Sequence, residues 1–144
     1  MDDASVCPIN SNFMHLVYLR LGQIYLEEKS YQEAKFVFLE SCNNEIPTVQ
    51  TWLGIGKACY HQGNYEEAED ALAEANMLDQ RHPDVWALLS AVCLQQIKRK
   101  PQVSRREEAE QSYKYAIKMG CNDEVLLNEV HKLQNQTNVG NPAF

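Results

Sequence analysis

The chain has 144 residues, of which 13 are basic and 20 acidic, so its formal net charge is -7. Apolar residues make up 44% of the sequence and charged residues 23%, which is ordinary for a folded protein and argues against a disordered chain. The acidic balance argues against a general nucleic-acid binder, which needs a net basic face. A length near about 150 residues predicts a single domain.

Neither a membrane span nor a leader is indicated by the sequence. The longest nearly apolar run, Val85 to Leu94, is about half as long as a membrane-spanning helix. No charged and then apolar segment opens the chain, so we expect no secretory signal.

The cysteine pattern predicts a reducing compartment and no metal site. An odd number of scattered cysteines is typical of chains that form no disulfide framework. None forms a CxxC pair or a ligand spacing with histidine, so we expect small buried side chains and neither a metal nor a cofactor. The five are Cys7, Cys42, Cys59, Cys93 and Cys121.

A pair of one aromatic and one small residue recurs every 34 residues. Its members are Tyr18 with Gly22, Trp52 with Gly56, and Trp86 with Ser90. A fixed period of this length is typical of stacked helical pairs, because two antiparallel helices hide their apolar surface only when neighbouring pairs stack on them. Ala34 and Ala68 follow the two glycines by twelve residues, and we expect glycine and alanine to meet where helices pack closely.

Seven helices are predicted from these periods and from local start signals. Ser30 is followed by Glu33, which resembles a capping box at the start of a helix. Asn64 and Glu67 repeat the pattern, and Pro83 suits the first turn of a later helix. The predicted helices lie at residues 13–27, 31–43, 48–61, 65–78, 83–97, 104–119 and 123–135.

The third repeat and the last helix depart from the pattern. Ala109 follows Ser90 by nineteen residues, so seven extra residues are inserted. The pattern of the last helix predicts an amphipathic helix that caps the end of the repeat array. Its apolar face is expected to pack on the preceding pair and comprises Val125, Leu126, Val130 and Leu133. Its polar face is expected to meet water and comprises Glu124, Asn128, Glu129 and Lys132.

These elements predict one repeat domain between two tails. The domain would cover residues 13–135, with tails at 1–12 and 136–144. The subdivisions are repeats at about 15–48, 49–82 and 83–121, an insertion near 98–104, and a cap at 122–135.

Two segments carry a family resemblance. Residues 52–56, WLGIG, and 63–68, GNYEEA, resemble the tetratricopeptide repeat. The resemblance covers residues 13–135 and implies an all-α, right-handed solenoid of three helical hairpins with a C-terminal capping helix. It also implies a non-catalytic interaction scaffold, because members of this family mostly bind a peptide or partner helix in a concave groove lined by their first helices.

A second resemblance implies a cellular setting. Residues 19–26, LRLGQIYL, and 109–118, AEQSYKYAIK, look like the C-terminal repeats of a family of cilia- and flagella-associated proteins. This implies a cytoplasmic and cytoskeletal protein of the axoneme, a fragment or short form of a larger one, that supports assembly or motility of cilia and flagella. The alternatives are a structural end module of a longer repeat array and a cytosolic adaptor or cochaperone.

Family geometry implies the residues of the groove. These are Leu19, Gln23, Leu53, Lys57, Tyr60, Asp84 and Leu94. Most are apolar, which suits a helix or peptide segment of a protein partner, for instance an axonemal one. The alternative is that they pack against a further segment of a longer chain or against the N-terminal tail. We expect no nucleic acid and no membrane as partner, and a monomer or weak self-association.

The cochaperone alternative is disfavoured by charge. Chaperone-binding members of the family clamp a terminal carboxylate with Lys, Asn and Arg. None of the matching residues here can donate a charged hydrogen bond to a carboxylate. They are Leu19, Gln23, Gly54, Asp84 and Leu88.

The insertion carries a second candidate site, a basic loop. It comprises Lys98, Arg99, Lys100, Arg105 and Arg106. Without these five cations the chain would have 8 basic and 20 acidic side chains. The loop could steer an acidic partner, or it could be a solvated connector.

No catalytic residue is predicted. Gly54 to Lys57, with the sequence GIGK, lacks the earlier glycine and the following serine or threonine of a phosphate-binding loop. The four histidines form no HExxH motif, and no serine lies in a nucleophile elbow.

Overall fold

The computed structural model describes residues 3–102 and 104–139, with side chains from Phe13 onward. In this part of the chain there are seven α-helices and no strand. They are α1 (Asp3–Glu27), α2 (Tyr31–Asn44), α3 (Val49–His61), α4 (Tyr65–Leu78), α5 (Pro83–Arg99), α6 (Arg106–Lys118) and α7 (Glu124–Thr137). The all-α class is confirmed, and the predicted helix bounds agree within two residues except at the start of α1.

Both predicted tails are partly helical. Helix α1 begins at Asp3 rather than at residue 13. Once a helix has formed, further residues can extend it without an apolar face. The extension was not predicted because hydrophobic periodicity detects only a helix with a buried face. Helix α7 continues to Thr137 and ends at Asn138 in the left-handed conformation, while Val139 is buried. The rest of the predicted C-terminal tail, 140–144, lies outside the described residues.

The helix caps differ from the predicted ones. Ser30 and Asn64 hold the N-cap positions, but neither side chain makes a capping hydrogen bond. A reciprocal box forms instead at α3, where the Thr48 hydroxyl accepts the backbone N–H of Thr51 and the Thr51 hydroxyl accepts the N–H of Thr48. Thr48 has the extended backbone that this geometry needs, whereas the ψ angles of Ser30 and Asn64 are near 70°.

The helices stack as hairpins. Each first helix packs on its own second helix, and α1, α3, α5 and α7 pack successively on one another. Helices α2 and α4 also pack on the first helix of the next pair. The first helices therefore form an inner layer that lines one side of the solenoid.

Glycines set how closely this stack can pack, because large side chains of the second helices lie directly against them. The Phe38 ring of α2 lies directly over Gly22 of α1 and Gly54 of α3. A Cβ atom added to Gly54 would come within 2.5 Å of that ring, and one added to Gly56 within 2.9 Å of Leu72. In each of these contacts the bulky residue four positions after the predicted alanine fills the space beside the glycine.

The third repeat replaces glycine by a hydrogen bond. The Ser90 hydroxyl of α5 is fully buried and donates to the Ala109 carbonyl of α6, at 3.1 Å. The two backbones thus still approach closely at the predicted small residue.

Gly54→Ala should lower the free energy of unfolding by about 1–3 kcal/mol, since overpacking a tight core costs that much. The free energy is measured by urea unfolding. The control is the same change in a Phe38→Leu background, where it should cost clearly less. Equal costs in the two backgrounds would contradict the proposed glycine–Phe38 contact.

Candidate functional site

The inner layer of first helices contains a polar recess of about 260 Å³. Most of its walls are amide, charged or imidazole side chains from α1, α3 and the starts of α5 and α7. Its lining residues are Gln23, Leu26, Gln50, Leu53, Gly54, Lys57, His82, Asp84 and Asp123. We call this space the polar recess.

A second recess of about 200 Å³ adjoins it at the last helix. Lys57 and Asp123 line both spaces, so together they form one groove along α3. The second space is more apolar, and we call it the α7 recess. Its lining residues are Lys57, Tyr60, His61, Leu88, Asp123, Val125, Leu126 and Glu129.

Four of the predicted groove residues line the polar recess, the buried Leu53 and three polar side chains. Gln23, Lys57 and Asp84 all line it, and each keeps part of its side chain exposed. The structure therefore brings these three together where the family geometry implied.

The apolar groove residues are placed differently. Leu94 is fully buried in the core, so its predicted role on the groove surface is wrong. Leu53 and Tyr60 line the recesses but are only 3% and 4% exposed, and Leu19 is packed against the core. The inner layer buries these side chains because each first helix also packs on the next, so the stripe is mostly core and the groove left to a partner is polar.

His82 also lines the groove, although no pattern in the sequence indicated it. Its Nε2 atom lies 3.2 Å from the Gln50 amide nitrogen. Its Nδ1 atom is buried and has no hydrogen-bond partner among the described residues. A buried polar atom without a partner is costly, so His82 carries an unsatisfied nitrogen beside the groove.

Helix α7 turns inward over the groove. It packs on α5, and in the described residues its backbone does not approach α6 as α3 approaches α2. The Tyr60 hydroxyl of α3 donates to Glu129 Oε2 of α7 at 2.6 Å, and Gln95 of α5 donates to the same hydroxyl at 3.1 Å. Because packed helices are about 8–10 Å apart, a regular stack would hold α3 and α7 beyond such direct contact.

The predicted faces of α7 need two corrections. Leu126, Val130 and Leu133 are buried as expected, but Val125 is 81% exposed at the α7 recess. Glu129, expected to meet water, accepts the Tyr60 hydroxyl. Glu129 lies three residues after Leu126 and four before Leu133, so it is on the buried face of α7. This spacing could have indicated the contact from the sequence.

The Tyr60 hydroxyl remains a hydrogen-bond donor at physiological pH. Burial raises its pKa well above the usual range, and the hydrogen bond to Glu129 raises it further, while the bond from Gln95 acts in the opposite direction. The hydroxyl therefore stays protonated and keeps donating its hydrogen bond to Glu129.

Arg105 of the basic loop points inward. Its guanidinium bonds Glu69 of α4 at 2.6 Å and Glu108 of α6 at 2.7 Å, and it also donates to Gln96. These carboxylates raise the Arg105 pKa, and Arg105 lowers the pKa of Glu108. The prediction that Arg105 is open to a partner is therefore wrong, because its charge is already neutralised within the chain.

The other four cations of the loop remain at the surface. Lys98 donates to Gln136 at 2.9 Å, and Arg106 to the Asn138 carbonyl at 3.0 Å. The Arg99 guanidinium lies 4.8 Å from the centre of the Tyr65 ring. Lys100 is exposed where α5 ends.

Three further findings concern metal binding, membrane spans and a buried cysteine in the described residues. No group of three or more His, Cys, Asp or Glu side chains there could hold a metal ion. No helix in the same part of the chain is long and apolar enough to cross a membrane. Burial raises the pKa of the Cys93 thiol to about 11, so it stays protonated and packs as a small core residue.

A sequence model described as Cilia and flagella-associated protein 70 C-terminal domain matches residues 2–140. The chain belongs to this family. Cilia- and flagella-associated protein 70 of Macaca fascicularis and of Homo sapiens are each 48% identical to it over 136 residues. The aligned part is 94% of this chain but only 13% and 11% of those two proteins. The resemblance predicted from residues 19–26 and 109–118 is confirmed.

Solved structures share the fold. The type III secretion translocator chaperone SycD of Yersinia enterocolitica matches with a TM-score of 0.72 and 16% identity, over 96% of this chain and 92% of that one. PcrH from Pseudomonas aeruginosa gives 0.68 and 16%, over 89% and 92%. At such identities the likeness shows the fold alone, and it confirms the predicted all-α helical-repeat solenoid.

Tyr60→Phe should loosen α7. The change removes the hydroxyl donor to a partly buried carboxylate, and such hydrogen bonds contribute about 1–3 kcal/mol. Hydrogen–deuterium exchange should show faster exchange of the α7 amides, with α1 to α4 unchanged. Tyr65→Phe, which removes a hydroxyl but keeps the ring under Arg99, is the control. Unaltered α7 exchange in Tyr60→Phe would contradict the inward contact.

Proposed function

We propose that this chain is a non-catalytic protein-interaction module of ciliary and flagellar axonemes, where it supports their assembly or motility, and that its polar recess binds an extended segment of a protein partner. Membership of the cilia- and flagella-associated protein 70 C-terminal family supports the setting. The observation that carries the binding proposal is the polar lining of the groove.

The recess offers the hydrogen-bonding groups that an extended peptide needs. A segment in this conformation presents backbone N–H and C=O groups at about 3.3 Å intervals. The amides of Gln23 and Gln50 can each donate and accept, and both line the recess. Pairing with these amides would give such a segment direction and register without a deep apolar pocket.

The charged side chains of the polar recess form no ion pair with another described residue, although Asp123 also caps α7. Lys57 lies between the two recesses and makes no ion pair among the described residues, although Asp84 and Asp123 line the same polar recess. A segment with one cationic and one anionic group could therefore pair with both signs of charge. This favours a polar extended segment over the partner helix that an apolar groove would suit.

A photo-crosslinking amino acid in place of Gln23 should capture a partner from axonemal extracts. Capture should fall by at least about tenfold when Lys57→Ala removes a charged contact. The matched control carries the crosslinker in place of Lys114, an exposed residue of α6, and should not capture the same protein. Mass spectrometry identifies the crosslinked peptides. Equal capture from both positions, or no effect of Lys57→Ala, would contradict binding in the polar recess.

A second function is favoured by a separate observation, the uneven exposure of apolar side chains. Seven of the twelve exposed large apolar side chains in the described part lie on α1 and α2, the first helical pair. They are Phe13, Met14, Leu16, Val17, Leu21, Phe36 and Leu39. Such a surface is typical of a contact site, and the much greater length of the relatives supports an end module whose first pair is covered by a longer array.

Replacing Leu16 and Phe36 with serine should reduce self-association if the chain is such an end module. These side chains are 60% and 63% exposed, so the helices should still form, while the uncovered apolar surface shrinks. Sedimentation velocity over a range of concentrations measures the monomer fraction. Ile117→Ser with Val125→Ser, two exposed changes on α6 and α7, is the control. A chain that is equally monomeric before and after the Leu16 and Phe36 changes would speak against the end module.

A further inference from the structure

A basic recess of about 270 Å³ lies on α4, the end of α5 and the loop that follows it. Its lining residues are Tyr65, Glu66, Gln96, Arg99, Lys100 and Arg105. It shares none of them with the polar recess or the α7 recess. It is therefore a separate surface whose use does not follow from the groove.

Positive charge at this recess is not neutralised by the chain itself. Among the described residues no carboxylate lies within ion-pair distance of Lys98, Arg99, Lys100 or Arg106, the four outward cations of the basic loop. Arg105 differs, because Glu69 and Glu108 hold it. Its ion pairs hold α4 against the start of α6, and Arg105 thereby fixes the position of one wall of the basic recess.

The geometry fixes one donor of the recess in place. The Arg99 guanidinium stacks on the Tyr65 ring, 4.8 Å from its centre, and this stacking leaves the N–H groups at its edge free to donate. Lys100, at the end of α5, adds a flexible ammonium group. A planar carboxylate is the ligand that such an arginine edge binds best.

The charge of the whole chain makes this corner selective. Outside the five basic-loop residues the chain carries 8 basic and 20 acidic side chains. An acidic segment would be repelled by the net negative charge of the rest of the chain and attracted to the basic recess, which favours encounter in one orientation.

We propose that the basic recess binds an acidic, glutamate- or aspartate-rich segment of a partner protein, with a carboxylate accepting hydrogen bonds from Arg99 and Lys100. A nucleic acid fits less well, because Arg99 already covers the Tyr65 ring face that a base would need for stacking. Glu66 also lines the recess, and its charge opposes the acidic segment.

The binding test uses the full 144-residue chain and a fluorescein-labelled oligoglutamate peptide. Fluorescence anisotropy at low and at physiological ionic strength gives the Kd. Arg99→Ala with Lys100→Ala should weaken binding by about tenfold or more, since both lost hydrogen bonds are charge-assisted. The control, Lys114→Ala with Lys118→Ala, removes the same charge from exposed positions of α6 and should change the Kd by less than about twofold.

A gain of affinity gives the sharper test. Glu66→Gln should tighten peptide binding by about threefold, because it removes the one negative charge that lines the recess. Lys57→Ala, in the polar recess, should leave the Kd unchanged, so this test stands apart from the proposed groove function. Thermal melting checks that each variant is folded, and Lys100→Ala alone replaces the double variant if that one is unstable.

Three results would overturn the proposal. The first is an equal loss of affinity in the recess variant and in its α6 control, which would show attraction to net charge only. The second is a Glu66→Gln variant that binds no more tightly than the unaltered chain. The third is a single-stranded oligonucleotide that binds more tightly than oligoglutamate and is lost with the same recess substitutions.

Discussion

The packing of the Phe38 ring over two glycines is the constraint on which the rest of the structure depends. Gly22 and Gly54 leave room for this ring between α1 and α3, and Gly56 does the same for Leu72. Because the helices then lie close together, the inner layer buries its large apolar residues, including Leu53 and Leu88. Polar side chains therefore make up most of the lining of the polar recess.

The inward turn of α7 completes this arrangement. Tyr60 joins α3 to α7 through Glu129 and to α5 through Gln95, so three inner helices meet at one hydroxyl. The groove is more apolar at this end, in the α7 recess, and it is polar towards α1, in the polar recess. The basic recess, held by Arg105, lies on other helices, and the chain thus presents two surfaces of different chemistry.

The helices and the repeat architecture could be predicted from sequence because their signals are local and repeated. The period from Trp52 to Trp86, the small residues and Pro83 all depend on neighbours along one helix or one repeat. The groove could be predicted only in part. Whether Leu94 meets a partner or the core, and whether Arg105 meets solvent or Glu69, depends on pairings between distant helices that no local period records.

The contact between Tyr60 of α3 and Glu129 of α7 holds α7 over α3 and thereby defines the groove at this end. A double-mutant cycle with Tyr60→Phe and Glu129→Gln, followed by urea unfolding, measures that contact directly. The structure predicts a coupling energy of about 1 kcal/mol or more, because the charge-assisted hydrogen bond forms only when the Tyr60 hydroxyl and the Glu129 carboxylate are both present. Additive effects of the two substitutions would show that the helices do not meet there. That result would contradict the position of α7 over α3.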